Sequence, residues 1–217
     1  YVKPNPNVGF SPESVKQKAI FMVGGPGAGK TNVGKGLKLG RQGYKVVNQD
    51  IALEAMKKES GLPGNEANYD AEQRSLRSKL GAAAKKAAVD KFDKYAKNGD
   101  GMVIDGTGAS YNATMKKVKQ LEDSGYEVHM VIANTPLETS LVRNKARDER
   151  SLASFIVEKT WKQVQESSEL YRKDFGDRLY EIDTESLGFG EALPDSFLQT
   201  VYEGINKNIA GKVDAAT

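Results

Sequence analysis

Short apolar segments alternate with longer amphipathic segments along this chain. KAIFMV (Lys18–Val23), YKVVN (residues 44–48) and MVID (Met102–Asp105) have the length and composition of β-strands, and YEVHMVIA and RLYEI follow later in the chain. Most of the sequence between these segments carries apolar residues at helical spacing. Strands that alternate with helices predict a parallel sheet with crossover helices. The expected fold class is therefore α/β, with about five parallel strands flanked by helices.

Helices are predicted in the intervals between the strands. Thr135, followed by Pro136 and Glu138, is typical of a helix start, so we expect the Thr135 hydroxyl to cap the helix that opens there. The other predicted helices run from the glycine-rich segment to about Leu39, through IALEAMKKES up to Gly61, over residues 71–97, through ATMKKVKQLEDS, over residues 152–175 and over residues 196–210.

The chain is long enough for one complete domain. Its 217 residues fit an α/β domain with a full hydrophobic core, and the sequence has no internal repeat and no interior linker. We expect an N-terminal extension over residues 1–17, one domain over residues 18–210 and a C-terminal tail over residues 211–217.

Composition excludes several kinds of chemistry. The chain has no cysteine, which rules out disulfides, thiolate catalysis and cysteine-based metal sites. Its single histidine, His129, lies in an apolar stretch and is interpreted as a structural residue. The net charge of +3 is compatible with an anionic ligand but low for a surface that coats nucleic acid. Because no targeting segment and no bilayer-spanning apolar run is present, a cytoplasmic protein without a membrane partner is expected.

The segment GGPGAGKT (residues 24–31) carries the first candidate chemistry. It matches the pattern G-x-x-x-x-G-K-[ST] and stands between a predicted strand and a predicted helix. Glycines let backbone N–H groups surround a polyphosphate, and the start of the following helix adds a positive dipole end. Lys30 is placed to reach the β- and γ-phosphates, and the Thr31 hydroxyl is placed to bind Mg²⁺. We therefore predict ATP binding through Gly25, Gly27, Ala28, Gly29, Lys30, Thr31 and Asn32.

Two aspartates and a threonine follow predicted strands. Asp50 comes after the second strand in VVNQD, and Asp105 ends the third strand in MVIDGTG. Both positions fall at the carboxyl edge of a parallel sheet, beside the glycine loop. A carboxylate there can hold Mg²⁺ or accept a proton from an attacking hydroxyl, although each aspartate could instead cap the following turn or helix. Thr107 lies between two glycines, where it could bind substrate or brace the turn.

Arginines cluster after the fourth predicted strand. The segment LVRNKARDERS carries Arg143, Arg147 and Arg150, whose spacings of four and three predict one helical face. Like charges on one face can gather an anion, and arginines at this position can clamp a transferring phosphoryl group. The alternative is a solvated face that Asp148 and Glu149 neutralise.

The order of these motifs resembles the zeta-toxin family of P-loop kinases, whose known members phosphorylate the nucleotide sugar UDP-N-acetylglucosamine. The resemblance extends over residues 21–182 and depends on GGPGAGKT, VVNQD, GMVIDGTG, SGYEVHMVIANTP and the arginine-bearing segment. It implies a single P-loop NTPase domain with a short arginine-bearing lid. It further implies ATP and Mg²⁺ as cofactors, a small-molecule acceptor such as a nucleotide sugar, and an antitoxin as a candidate protein partner.

The resemblance assigns roles by position. It makes Lys30 and Thr31 the ligands of phosphate and Mg²⁺, and it makes Asp50 the base that accepts the proton of the sugar hydroxyl. Asp105 stands where the family commonly has a glutamate, and it is expected to contact both the metal and the substrate. Thr107 matches the family's following threonine and is expected to bind substrate.

The arginines match the family in part. Arg147 and Arg150 correspond to the two lid arginines and are expected to be catalytic, with fewer residues between them than in the toxins. Arg143 has no clear toxin counterpart. It resembles the arginine of adenylate-kinase-like enzymes that stacks on the adenine, so it is expected to bind the cofactor.

Other functions are compatible with the same motifs. A polynucleotide 5′-hydroxyl kinase or a nucleoside or nucleotide kinase would share the glycine loop and the acid after the second strand. The polynucleotide kinase would need a basic channel, for which the candidates are Arg74, Arg77, Lys79, Lys85 and Lys86. A nucleotide-gated binding module would need an exposed apolar surface, for which SLGFGEALPDSFLQTVY is the candidate. The leading hypothesis is a kinase that phosphorylates a small molecule.

Overall fold

The computed structural model describes residues 16–64, 66–147, 152–187 and 191–213. Within them, five strands form one parallel sheet in the order β2-β3-β1-β4-β5. This confirms the predicted α/β class. The strands are β1 (Lys18–Val23), β2 (Lys45–Asn48), β3 (Met102–Asp105), β4 (Glu127–Asn134) and β5 (Leu179–Asp183).

Helices connect the strands and cover both faces of the sheet. None of the helices in the described ranges is long and apolar enough to cross a membrane. The helices are α1 (Lys30–Leu37), α2 (Gln49–Glu59), α3 (Ala71–Asn98), α4 (Tyr111–Asp123), α5 (Leu137–Lys145), α6 (Ser154–Phe175) and α7 (Asp195–Val213).

The core consists of two apolar clusters, one on each face of the sheet. Successive residues of a strand point to opposite faces, so β1 contributes Phe21 to one cluster and Ile20 to the other. The first cluster packs the sheet against α3, α4 and α6, and the second packs it against α1 and α7. All six residues of β1 are buried, which explains why its sequence is an almost continuous apolar run.

The strand order places a crevice at the end of β1. The chain passes from β1 through α1 to β2 at one edge, then returns through β3 and crosses β1 to reach β4. In an open parallel sheet, ligands bind outside the carboxyl ends of the strands where the strand order reverses. The glycine loop follows β1 at this point.

The start of α5 differs from the prediction. The N-cap position is Pro136, without a side-chain cap, and the buried Thr135 hydroxyl has no hydrogen-bond partner among the described residues. The expected Thr135 cap is therefore wrong. The Thr135 carbonyl instead accepts a hydrogen bond from Trp161 Nε1 at 2.9 Å, because α6 packs across this turn.

The arginine-bearing segment is also not one continuous helix. Helix α5 ends at Lys145, so Arg147 lies beyond it and the prediction that it shares a helical face with Arg143 is wrong. Buried Asn144 explains the end, because its side chain donates to Leu152 O at 2.8 Å and accepts from Leu152 N at 3.0 Å. This pairing holds Leu152, just before α6, against the end of α5. Arg150, together with the acids expected to neutralise the segment, lies outside the described residues.

Candidate active site

The glycine loop is packed tightly between β1 and α5. Gly27 and Gly29 both adopt positive φ angles of 81°, a region that favours glycine. A Cβ atom at Gly27 would lie 2.9 Å from Ser140 Cα, so the close approach of α5 also requires glycine there. Beyond the loop, the first N–H groups of α1 have no partner within the helix. The loop and helix together form a conformation suited to an anion.

Lys30 lies at the centre of the site. Its ammonium donates to Gly24 O at 2.5 Å and approaches Gly25 O at 3.4 Å. Burial lowers the pKa of Lys30, the carboxylates of Asp105 and Asp50 oppose this shift, and the Arg147 guanidinium adds to it. These three charged groups therefore lie close enough to act on one ammonium. The structure brings together the lysine, the two acids and one of the arginines that the sequence singled out.

Asp105 has one satisfied oxygen and one unsatisfied oxygen. Its Oδ2 accepts from Asn48 Nδ2 at 2.6 Å, whereas the buried Oδ1 has no hydrogen-bond partner in the described part of the chain. Burial raises the pKa of Asp105, and Lys30 and Asn48 partly offset the rise. An unsatisfied carboxylate oxygen beside the loop fits a hard cation such as Mg²⁺, and the exposed Thr31 supplies a second oxygen. Asp105 and Thr31 are therefore suited to hold the predicted metal.

Asn48 is a site residue that the sequence analysis missed. Its Oδ1 accepts from Asp50 N at 2.7 Å and from Ile51 N at 3.1 Å, so Asn48 caps α2 while its Nδ2 binds Asp105. The alternative that Asp50 caps this helix is wrong. The Asp50 side chain lies exposed in the first turn of α2. An asparagine directly before a predicted helix is a typical cap, which is the signal that could have identified it.

Thr107 braces the turn after β3. Its hydroxyl accepts from Ala109 N at 3.3 Å, and its carbonyl accepts from Gly24 N at 3.2 Å. The Thr107 backbone therefore connects this turn to the glycine loop, and its side chain is exposed at the same place. The Tyr171 hydroxyl supports the turn from α6 by donating to Gly108 O at 2.8 Å. Substrate binding by Thr107 stays a prediction.

The remaining cofactor candidates contact the segment after β5. Arg143 donates to the carbonyls of Thr184 at 2.6 Å and Leu187 at 2.9 Å, and it also reaches the Thr184 hydroxyl at 3.1 Å. Asn32 Nδ2 donates to Glu191 O at 3.1 Å. Stacking of Arg143 on a base stays a prediction. Its hydrogen bonds show that Arg143 also holds the segment after β5 in place.

Helices α2 and α3 pack against each other next to β2 and form one wall of the molecule. Helix α3 has 28 residues and spans about 42 Å, about twice the length of the central strand, so its first half extends past the carboxyl edge of the sheet. Buried Lys57 pins the connection between the two helices by binding Glu66 Oε1 at 3.0 Å and Gly64 O at 3.3 Å. Arg77 Nε binds the other oxygen of Glu66 at 2.9 Å.

Two predicted surfaces are partly engaged in contacts within the protein. Of the basic residues considered for a nucleic-acid channel, Arg77 pairs with Glu66, and Lys86 pairs with Asp90 at 2.6 Å. In the C-terminal segment considered as an exposed apolar surface, the larger apolar residues of the described part pack in or against the second core cluster. These buried or partly buried residues are Leu187, Leu193, Phe197, Leu198 and Val201.

The sequence matches the model of a known protein family. The model of a family described as an AAA domain (AAA_33) matches residues 20–171, which is more than half of the chain and includes the glycine loop and both aspartates. No curated protein matches the sequence.

Solved structures share the fold at low sequence identity. A candidate kinase from Chloroflexus aurantiacus is 14% identical with a TM-score of 0.61, and the match covers 88% of this chain and 98% of that one. A structure of the PezAT chromosomal toxin–antitoxin system of Streptococcus pneumoniae is 17% identical with a TM-score of 0.57, covering 90% and 87%. The AvrRxo1-ORF1:-ORF2 structure with ATP is 17% identical with a TM-score of 0.60, covering 91% and 66%. The chain therefore belongs to the AAA domain family that its sequence matches, and it has the fold of P-loop kinases.

Proposed function

We propose that this protein is an ATP- and Mg²⁺-dependent kinase that transfers the γ-phosphoryl group to a hydroxyl of a small molecule. One observation carries the proposal: beside the glycine loop, Asn48 binds both Asp105 Oδ2 at 2.6 Å and the backbone N–H of Asp50 at 2.7 Å, and the buried Asp105 Oδ1 has no partner among the described residues. Phosphoryl transfer depends mainly on alignment and charge neutralisation, with little covalent chemistry from the protein. A base, a phosphate-binding cation and a metal-binding carboxylate in one place meet those needs.

The acids have separate roles in this proposal. Asp50 is exposed in the first turn of α2, so it can reach an acceptor hydroxyl and take its proton as the oxygen attacks. Asp105 is held by Asn48 at 2.6 Å and keeps Oδ1 for the metal, which when bound neutralises charge on the phosphate oxygens.

The cations stabilise the phosphates. An entering phosphate competes with the carbonyls of Gly24 and Gly25 for the Lys30 ammonium, and the N–H groups of the loop surround it from the other side. Arg147 approaches from beyond α5, where it can offset the negative charge of the transferring group. Arg150 is proposed to assist it.

A nucleotide sugar is the first candidate acceptor. The motif order resembles zeta toxins, and two of the structures that share the fold come from the PezAT toxin–antitoxin system and from the AvrRxo1-ORF1:-ORF2 assembly with ATP. These similarities support a zeta-toxin-like kinase and an antitoxin-type partner as proposals. The wall formed by α2 and α3, which the Lys57–Glu66–Arg77 network holds together, is proposed to border the acceptor.

Mass spectrometry of reactions with MgATP would identify the acceptor. The panel contains nucleotide sugars, nucleosides, nucleoside monophosphates and a 5′-hydroxyl oligonucleotide. We expect one phosphate to be added to a nucleotide sugar. A phosphorylated oligonucleotide would instead assign the protein to the polynucleotide kinases, and ADP formation without a modified acceptor would contradict the small-molecule kinase.

Replacement of the proposed base separates a kinase from a nucleotide-gated binding module. Asp50→Asn keeps the shape of the side chain but removes its proton acceptor, so transfer should fall by about 10²–10⁴-fold while MgATP still binds. The matched control is Asp90→Asn on the exposed face of α3, which should keep full activity. Transfer that survives in Asp50→Asn would contradict the assignment of the base.

A further inference from the structure

Thr184 connects three parts of the nucleotide site. It follows β5 directly and is only 2% exposed. Its hydroxyl lies 2.9 Å from Ala28 O and 3.1 Å from Asn134 O, and its backbone N–H donates to Asn134 O at 2.8 Å. A Cβ atom at Gly29 would lie 3.1 Å from this hydroxyl. The threonine therefore contacts the glycine loop directly, although it stands more than 150 residues later in the chain.

Arg143 completes a chain of hydrogen bonds. A threonine hydroxyl has one proton to donate and can accept from other donors. Arg143 Nη1 donates to the Thr184 hydroxyl at 3.1 Å, so the hydroxyl proton is left for one of two carbonyls. Ala28 O, at 2.9 Å, is the nearer acceptor, whereas Asn134 O, at 3.1 Å, already accepts from the Thr184 backbone N–H. A charged donor polarises the hydroxyl and strengthens the bond that the hydroxyl makes in turn. The chain of hydrogen bonds therefore runs from the Arg143 guanidinium through the Thr184 hydroxyl to the Ala28 carbonyl in the glycine loop.

The hydrogen bond to Ala28 O also orients the backbone N–H of Gly29. In a trans peptide the C=O and the next N–H point in opposite directions. Because Thr184 holds the Ala28 carbonyl toward β5, the Gly29 N–H points away from β5, on the side where the phosphates are proposed to bind. An N–H fixed before binding costs less to order when an anion arrives.

We propose that Thr184 is a positioning residue for the nucleotide phosphates, and that Arg143 acts on the loop through it. This inference rests on the nucleotide binding in the proposed function. Thr184 orients the Ala28–Gly29 peptide, and Arg143 orients the Thr184 hydroxyl while it also donates to the carbonyls of Thr184 and Leu187. Neither task requires Thr184 to touch the ligand.

Isothermal titration calorimetry with MgADP tests this role. Thr184→Val removes the hydroxyl at nearly constant volume and leaves Ala28 O without its donor, so affinity for MgADP should fall about tenfold. Thr184→Ser keeps the hydroxyl and should bind within about threefold of the natural protein. The matched control is Thr200→Val, which removes an exposed hydroxyl that donates to Ser196 O within α7 and should leave MgADP affinity unchanged.

A second variant covers the case in which Thr184→Val does not fold. Arg143→Lys keeps the charge but cannot hold the hydroxyl and two carbonyls together, so it should also weaken MgADP binding. Where both variants fold, their combined effect should be less than the product of the single effects, because the two residues act in series. Folded Thr184→Val with natural affinity, or a serine variant as weak as the valine variant, would overturn the inference. If the natural protein itself binds no MgADP, the proposed function fails instead.

Discussion

At the scale of single residues, Asn48 joins two parts of the site. One amide group caps α2 with its oxygen and holds the Asp105 carboxylate with its nitrogen. An aspartate could make the cap but would repel Asp105, and a serine could not make both contacts. Asp50 follows two residues after Asn48, and Asp105 is bound by the Asn48 amide nitrogen. Asn48 therefore sets the distance between the proposed base and the proposed metal ligand.

This double role predicts a pH-dependent phenotype for Asn48→Asp. The variant keeps the cap acceptor but places a second carboxylate 2.6 Å from Asp105 Oδ2, so one of the two acids should bind a proton with a raised pKa. The shared proton stabilises the folded state. Its contribution to the free energy of unfolding is fully present below the unfolded pKa of about 4 and is lost as pH rises through the raised folded pKa. Urea unfolding between about pH 4 and pH 8 should show Asn48→Asp losing stability with rising pH relative to Asn48→Ala. Parallel pH profiles for the two variants would contradict this account.

At the scale of elements, α6 supports both turns that flank the glycine loop. Trp161 and Gln165 bind the turn after β4, through Thr135 O and Asn134 Oδ1. The Tyr171 hydroxyl, two turns further along the helix, binds Gly108 O in the turn after β3. One rigid helix therefore fixes the two turns relative to each other. Because Asn144 of α5 pairs with Leu152 just before α6, the position of α5 and the position of Asp105 depend on the same element.

Tyr171→Phe tests this support. The ring and its packing remain, but Gly108 O loses its donor, so the free energy of unfolding should fall by about 1 kcal/mol. Transfer by the proposed kinase should fall several-fold in kcat with a smaller change in KM for ATP, because the Asp105 turn loosens while the glycine loop keeps its own contacts. Tyr202→Phe is the matched control, since it removes a hydroxyl that donates to Leu37 O at 2.8 Å away from the site. Equal loss of kcat in both variants would contradict a specific role for α6.

The elements differ in how far the sequence could predict them. The bounds of all five strands are predicted within one residue, because buried parallel strands are short apolar runs that can be recognised locally. The end of α5 is missed, because it depends on a contact between Asn144 and Leu152, which local propensity does not contain. Thr184 is missed for the same reason: its partners come from the glycine loop and α5. Candidate ligand-binding residues can be recognised from sequence because they occur in short motifs. The residues that position them are identified only from tertiary contacts, which the local sequence does not show.

At the scale of the whole molecule, a buried polar cluster lies away from the site, toward the opposite edge of the sheet. His129 Nε2 contacts Glu127 Oε1 at 2.9 Å, and its Nδ1 lies 3.3 Å from the Tyr180 hydroxyl. Both contacts are satisfied by a neutral ring with its proton on Nε2. Lys18 lies 3.9 Å from Glu127 and donates to Ile205 O, which ties α7 to the sheet. The cluster thus joins β1, β4, β5 and α7.

This cluster predicts how stability depends on pH. Burial lowers the pKa of His129 below its ordinary value of 6.5; Glu127 opposes the shift, and Lys18 and Arg178 add to it. Below pH 6.5 the unfolded chain therefore binds a proton on this imidazole more readily than the folded protein does. The contribution of His129 to stability is constant above about pH 7 and declines below about pH 6.5 by up to about 1.4 kcal/mol per pH unit.

His129→Gln should flatten the decline between about pH 6.5 and pH 5, above the range in which most carboxylates titrate. Because the chain has one histidine, a single imidazole NMR signal reports the folded pKa directly, and urea unfolding measures the stability profile. A folded pKa at or above 6.5, or an unchanged acid limb in His129→Gln, would contradict the neutral, buried assignment. If the prediction is correct, acid weakens the packing of α7 through this cluster, while the proposed catalytic groups lie at the other edge of the same sheet.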